Sequence, residues 1–341
     1  MALRRRTRTA VLTSAAPPRL NGGHRTDAYV EIGSLTKVLT GTALDRLAAD
    51  GVLTPDDPVE RWLDAPRGTG ITLRHLAEHT SGLPRLPPLR GPRRDPYLRF
   101  DAAALRSLVG RLDTLATTAP GTAEEYSNFG YAVLGAALAA AAGEPYEQVV
   151  RRCVLDPLGI EEMTARPPAD RRLTGTSRWG RPRAAWTTDG AVLPAGGYWA
   201  TLPAVAALVR GLLVEQVLGP PALTWRQGGP MTWHNGGTRD AQVFTGLNRE
   251  TRTWVVVHCL DAGPDAADRT GVRLLMDGGT VATPPSRVMG PHFEPTARPS
   301  AASAAPIGHA RCSGHAPRTT LEGQPESPAA WQSRPHRGGA W

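Results

Sequence analysis

Three short apolar segments, at 231–234, 241–248 and 252–260, follow one another with only turns between them. Strands joined this closely pair as antiparallel neighbours, because a parallel pair needs a crossover of a dozen or more residues. A fourth segment of the same kind, TRTAVLTS at 7–14, stands at the opposite end of the chain. Between these ends the pattern is mostly helical. Over Ser34–Asp50, Leu35, Val38, Leu39 and Thr42 share one face, and Gly51 supplies a stop. A short helix is expected in TPDDPVERWL, and another after Thr72, ended by Gly82-Leu83-Pro84. Further helices fit 101–115 behind Asp101, 129–142 ended by Gly143, 145 to about 154, the stretch after GGYWATLP, and 266–277. Residues 15–27, 84–96 and 165–195 read as loop or irregular. The expected fold class is α/β of the α+β type. An antiparallel sheet is flanked by helices, with a second, mostly helical subdomain over about 55–200.

The ends of the chain differ from its body. From Thr283 onward, ten of 59 residues are proline and little apolar periodicity remains. Such a stretch cannot bury enough surface to offset its ordering entropy, so 283–341 is expected to be disordered. The formal charge of +8 is also placed unevenly. Residues 1–27 hold six Arg against one Asp, and 283–341 hold six Arg against three Glu. The body, 28–282, therefore carries equal numbers of basic and acidic groups. A nucleic-acid binder concentrates positive charge on its folded surface, so that class is set aside. The basic ends raise a separate reading, tethering to an acidic surface.

Cys153, Cys259 and Cys312 are far apart and show no metal-ligand or disulfide spacing. The first two lie in apolar runs and read as core thiols. No apolar run reaches the roughly 18 residues of a membrane span. The arginine cluster at the start is followed by too short an apolar stretch for an export signal, so a cytoplasmic location is expected.

Lys37 is the only lysine in the sequence, against 38 arginines. It follows Ser34 by three residues, which on a helix puts the two side chains on one face. A serine hydroxyl becomes a nucleophile when a base takes its proton. A lysine of lowered pKa can be that base, whereas arginine does not deprotonate. The first-turn N–H groups beside Ser34 favour developing negative charge. The plainer alternative is that one lysine falls there by chance. A second stretch, AEEYSNFGYAVLG, offers Tyr126 as a proton shuttle and Asn128 as an amide that binds a substrate carbonyl or holds the lysine. Its alternative is a packed tyrosine and an Asn helix cap. A third, MTWHNGGTRDAQVF, puts His234, Gly236 and Gly237 at a strand end. An N–H there would complete an oxyanion hole with that of Ser34; its alternative is a hairpin turn with a surface histidine.

In this order, S-x-x-K, Y-x-N and a [K/H]-x-G strand resemble the signature of penicillin-recognising serine enzymes. The segments EIGSLTKVLTGTALDRLAADGVLTPDDPV, ITLRHLAEHTSGLP, PGTAEEYSNFGYAVLG, LDPLGIEEMT and GGYWATLPAVAALV look like the same family. The chain is thus identified over roughly 28–277 as resembling the serine β-lactamase-related family, in its class C β-lactamase, DD-peptidase and esterase branch. The resemblance implies a β-lactamase/transpeptidase-like fold and a serine hydrolase acting through an acyl-enzyme on a small ester, amide or β-lactam. It implies no metal and no cofactor. It makes Ser34 the nucleophile, with Lys37 and Tyr126 sharing base and proton-shuttle work. Asn128 then binds the substrate amide, His234 stands where many relatives have lysine, and Gly236 keeps the strand open. The N–H groups of Ser34 and Gly237 form the oxyanion hole.

Three departures accompany this. His234 is mostly neutral near pH 7 where a lysine would be charged, which favours an esterase or peptidase over a dedicated β-lactamase; Arg239 is a candidate replacement charge. The interval from Tyr126 to His234 is short, implying reduced covering loops. Ahead of Ser34 there is room for one strand where relatives have two. The alternative to catalysis is a non-catalytic binding module, or an inactive truncated paralogue, on the same fold.

Overall fold

The computed structural model describes residues 7–89, 92 and 94–279. The expected disordered tail at 283–341 and Cys312 lie outside the described residues. Among the described residues there are nine strands: β1 (Arg8–Thr13), β2 (Arg19–Asn21), β3 (Val30–Glu31), β4 (Met163–Thr164), β5 (Trp199–Ala200), β6 (Arg226–Gly228), β7 (Met231–Gly237), β8 (Ala241–Asn248) and β9 (Thr253–Leu260). The helices are α1 (Thr36–Ala49), α2 (Leu73–Ala77), α3 (Ala102–Val109), α4 (Leu112–Leu115), α5 (Asn128–Ala142), α6 (Tyr146–Val150), α7 (Leu193–Gly196), α8 (Leu202–Val209) and α9 (Ala266–Met276).

The strand segments from the two ends of the chain meet in one antiparallel sheet of order β2-β1-β9-β8-β7-β6. β1 pairs with β9, Ala10 opposite His258, and β7 pairs with β8, His234 opposite Thr245. A small sheet, β3-β5-β4, lies apart from it in pairing. Both faces of the large sheet are covered, which is why its strands read as nearly continuous apolar runs. Val243, Leu247 and Val256 join the main core with α1, α5 and α8. Phe244 faces the other way and meets α9. Buried leucines such as Leu39 and Leu44 on α1 each contribute about 1.5–3 kcal/mol.

Several elements end where the sequence expects. Thr72 and Asp101 cap their helices through side-chain oxygens, and Gly143 closes α5 in the left-handed region. The single helix expected over 101–115 is instead two, α3 and α4, parted at Gly110. The expectation of one strand ahead of Ser34 is also corrected, since β1, β2 and β3 all precede it. β2 is a three-residue edge strand, largely exposed, between Pro17-Pro18 and Gly22-Gly23. So short and polar a strand carries no alternation to read. β7 continues past the expected 234 to Gly237, because pairing of Gly236 with Val243 and Gly237 with Gln242 overrides glycine's poor strand propensity.

The α9–sheet contact is close-packed at one residue. A Cβ on Gly271 would fall 2.0 Å from Cδ1 of buried Phe244, whereas one on Gly263 would meet nothing within 4 Å. Gly271→Val is therefore expected to lower unfolding free energy in urea by about 1–3 kcal/mol. Gly263→Ala should leave it within about 0.5 kcal/mol.

Candidate active site

The site begins at a tight turn. β3 leads into a single 3-10 turn, Gly33–Leu35, that runs straight into α1, so the α-helix proper starts at Thr36 rather than Ser34. Gly33 has φ +49°, a conformation that costs glycine little. Ser34 is partly exposed and can be reached, while Lys37, one turn along, is fully buried. Tyr126 lies in the extended residues just before α5. The cap of that helix is Ser127, whose Oγ accepts the Gly130 N–H at 2.8 Å. Asn128 is thereby free of capping.

These residues converge. The Ser34 and Tyr126 hydroxyls are hydrogen-bonded to each other. Lys37 Nζ stands 3.3 Å from Ser34 Oγ, 2.7 Å from Asn128 Oδ1 and 2.6 Å from the Ala195 carbonyl. Asn128 is oriented by its other end, Nδ2 donating to the Tyr97 hydroxyl at 2.8 Å. Burial drives the Lys37 pKa well below its ordinary value, with the Arg85 charge acting the same way. A neutral amine has two N–H groups and one lone pair. The carbonyl oxygens of Asn128 and Ala195 can only accept, so they take the two N–H groups. The lone pair is then left for the Ser34 O–H. Burial raises the Tyr126 pKa, keeping its phenol protonated at neutral pH, although Ser34, Arg85 and Arg226 oppose that shift.

β7 closes the site from the other side. A Cβ on Gly236 would lie 2.2 Å from the Ile32 carbonyl and 2.9 Å from Ser34 N, so only glycine lets the strand come this close. A Cβ on Gly33 would lie 2.9 Å from Gly237 N, which brings the Gly237 backbone beside the turn holding the nucleophile. His234 is buried rather than at the surface. Its Nδ1 donates to the Asn235 carbonyl at 2.7 Å, its ring meets Trp225 edge-on, and burial pushes its pKa down to about 3. It carries no charge at neutral pH. Arg239 does not supply the missing cation either. Its guanidinium donates to the carbonyls of Ala184, at 3.1 Å, and Arg94, latching two loops together.

The sequence reasoning missed several contributors. His79 has φ +62°, and its carbonyl accepts the Glu125 N–H at 2.7 Å while its Nδ1 accepts the Ser127 N–H at 3.0 Å. It thus holds the backbone on both sides of Tyr126, and its ring stacks on that phenol at 4.6 Å. Its place in HTSGLP was the available signal. Tyr97 is buried although it borders a Pro- and Arg-rich loop, and Ala195 acts through a carbonyl that any residue would provide. Glu31 accepts the Thr238 hydroxyl at 3.1 Å, tying the end of β7 to the strand that leads to Ser34. Burial raises its pKa to about 7. Among the described residues no cluster of His, Cys, Asp and Glu could hold a metal ion. No helix there is long and apolar enough to cross a membrane.

The family model for Beta-lactamase matches residues 3–256, and the chain belongs to that family. It is 35% identical over 164 residues to the D-alanyl-D-alanine-carboxypeptidase/endopeptidase AmpH of Escherichia coli, covering 46% of this chain and 42% of that protein. It is 33% identical over 184 residues to esterase EstB of Burkholderia gladioli, covering 50% and 47%. The matches span less than half the length of these curated relatives. Among solved structures, a β-lactamase/D-alanine carboxypeptidase from Yersinia pestis superposes with a TM-score of 0.62 at 24% identity, over 79% of this chain and 92% of that one. A class C β-lactamase from Rhodobacter sphaeroides gives 0.62 at 18%, over 80% and 93%. Both show the fold, an antiparallel sheet with helices.

Two outcomes are expected. His79→Ala strands the buried Ser127 N–H and should cost about 1–3 kcal/mol in urea unfolding. His79→Asn, which tolerates φ > 0 and offers an acceptor, should cost less. Acid should also destabilise the fold. His24, His79 and His234 have folded pKa values near 4, 2 and 3, and His258 is likewise lowered, all first by burial. Below pH 6.5 the unfolded chain takes up protons that these rings refuse. Stability present above 6.5 is therefore lost as pH falls, by about 1.4 kcal/mol per pH unit for each ring at most. Glu31 and Asp45, raised by burial to about 7 and about 6, and Asp268, also raised by burial, act oppositely but number three against four. Urea midpoints at pH 7.5, 6 and 5 should fall in that order; a midpoint rising toward pH 5 would contradict the balance.

Proposed function

We propose that this chain is a serine acyl hydrolase, cleaving a small ester or amide through an acyl-enzyme on Ser34. The observation that carries the reading is the saturation of both N–H groups of Lys37 by carbonyl oxygens, which leaves its lone pair for the serine proton. Ser34 Oγ attacks the substrate carbonyl carbon as Lys37 Nζ takes the hydroxyl proton. The developing oxyanion is received by the N–H groups of Ser34 and Gly237. Tyr126 gives its proton to the departing oxygen or nitrogen and is reprotonated from Lys37. Water then enters by the same route, loses a proton to this pair, and releases the acid and Ser34. Asn128 holds both the lysine and the substrate amide.

An esterase or D-peptidase fits better than a dedicated β-lactamase, because His234 is neutral and Arg239 is committed to loop carbonyls. The matches to a carboxypeptidase and an esterase support that class without choosing a substrate. A binding module would not need a desolvated lysine beside a reachable serine.

The test is intact and peptide mass spectrometry after a fluorophosphonate probe, with Ser34→Ala as control. One adduct on the Ser34 peptide, absent from the control, is expected. No adduct on folded protein favours the binding-module reading. Lys37→Arg, which keeps a cation but cannot deprotonate, should lower ester kcat/KM by about 10²–10⁴-fold while leaving the fold cooperative in urea. Retained activity would remove Lys37 from the base role.

A further inference from the structure

Residues two apart on a strand point to the same face. On β7 this puts the His234 side chain on the face from which Gly236 meets Ile32 and Ser34. The strand there is held by pairing with Thr245, whose hydroxyl also donates to the His234 carbonyl at 3.1 Å. The ring itself is held at two points. Nδ1 lies 2.7 Å from the Asn235 carbonyl, and the Trp225 ring stands edge-on at 6.4 Å. A carbonyl oxygen only accepts, so Nδ1 carries the proton. Burial first, then the Lys37 charge, keeps the ring from taking up a second one. In a neutral imidazole with Nδ1–H, the other nitrogen is an acceptor. Nε2 has no hydrogen-bond partner among the described residues, and unlike His258 Nε2 it is not sealed in the interior.

The surroundings put this acceptor on the leaving-group side. His234 and Lys37 both lie within electrostatic reach of His79, whose ring stacks on the Tyr126 phenol at 4.6 Å. Arg226 reaches both His234 and Tyr126. Tyr126 is the group that gives its proton to the departing atom. We propose that His234 is a specificity-determining residue of this site, and that its Nε2 accepts a hydrogen bond from a free hydroxyl on the leaving fragment of the substrate. The inference rests on the serine-hydrolase reading. An ammonium is a poorer donor here, because the nearby charges are positive: Arg226, and exposed Arg85 with its guanidinium carbon 5.2 Å from the Tyr126 ring centre. A carboxylate has no proton to offer. The substrate class is therefore monoesters of diols and polyols, with a hydroxyl a few bonds from the departing oxygen. When that hydroxyl is blocked, the bound substrate covers Nε2 without pairing it, which a desolvated acceptor tolerates poorly.

Two butyrate esters test this, 2-hydroxyethyl and 2-methoxyethyl, which differ in the leaving-side proton. The full chain is expected to prefer the hydroxyethyl ester in kcat/KM by about three- to tenfold. His234→Phe, which keeps a ring but offers no acceptor, should bring the ratio near one. His234→Gln, whose amide oxygen can accept, should keep part of it. A merely structural His234 would slow both esters alike and leave the ratio in place, so an unchanged ratio in His234→Phe overturns the proposal. The second measurement needs no turnover. Side-chain 15N NMR of the full chain, with His234 assigned by its loss in His234→Gln, should show Nε2 without a proton from pH 8 to pH 5; a protonated Nε2 at pH 7 overturns the proposal. The two readings separate through the methoxyethyl ester. If the full chain cleaves it and Ser34→Ala does not, the hydrolase reading stands and an unchanged ratio removes His234 alone. If Ser34→Ala cleaves it equally, both fall. If the full chain cleaves neither ester, the polyol-ester class falls, and the fluorophosphonate adduct on Ser34 judges the hydrolase reading by itself.

Discussion

Burying an amine with no carboxylate beside it costs free energy that deprotonation relieves, and Lys37 is such an amine. Its partners are two carbonyl oxygens and a hydroxyl. In the neutral form the two carbonyls take both N–H groups, and the lone pair is left for Ser34. Every nearby element contributes to this burial. α1 carries Lys37 inward, α5 presents Asn128, and α7 presents the Ala195 carbonyl. The chemistry proposed for Ser34 depends on this desolvation more than on any single contact to the serine.

The scaffold achieves the geometry through close backbone approaches. Gly236 lets β7 lie against the turn that holds Ser34, and Gly33 turns that segment beside Gly237. The sheet behind is covered on both faces, so β7 cannot shift without disturbing β8 and α9. Glu31 through Thr238, and Arg239 through two loop carbonyls, fasten the outer end of the strand. His79 fastens the opposite wall by gripping the chain on both sides of Tyr126. The residues around Ser34 are thus held from both sides.

The elements legible in advance were those with strong local chemistry. α1, α5, α9 and the meander β7–β9 follow from periodicity, the starts of α2 and α3 from the caps Thr72 and Asp101, and the end of α5 from the glycine stop at 143. The short pieces were not legible. β2, β3, β4 and β5 are two or three residues long and exist only because another part of the chain pairs with them.

The amino-acid sequence by itself determined the residue types that can do acyl transfer, and their order: a serine, a lysine one turn later, a tyrosine two residues before an asparagine, and a glycine-bearing strand. Those choices are local, because nucleophilicity, the ability to deprotonate and glycine's lack of a Cβ belong to the residues. Only the tertiary structure decided that Lys37 is buried with its pKa driven well down, that His234 is an uncharged buried ring, and that Arg239 faces loop carbonyls. Protonation and direction depend on desolvation and on partners distant in sequence, and neither is fixed until the chain has folded around them.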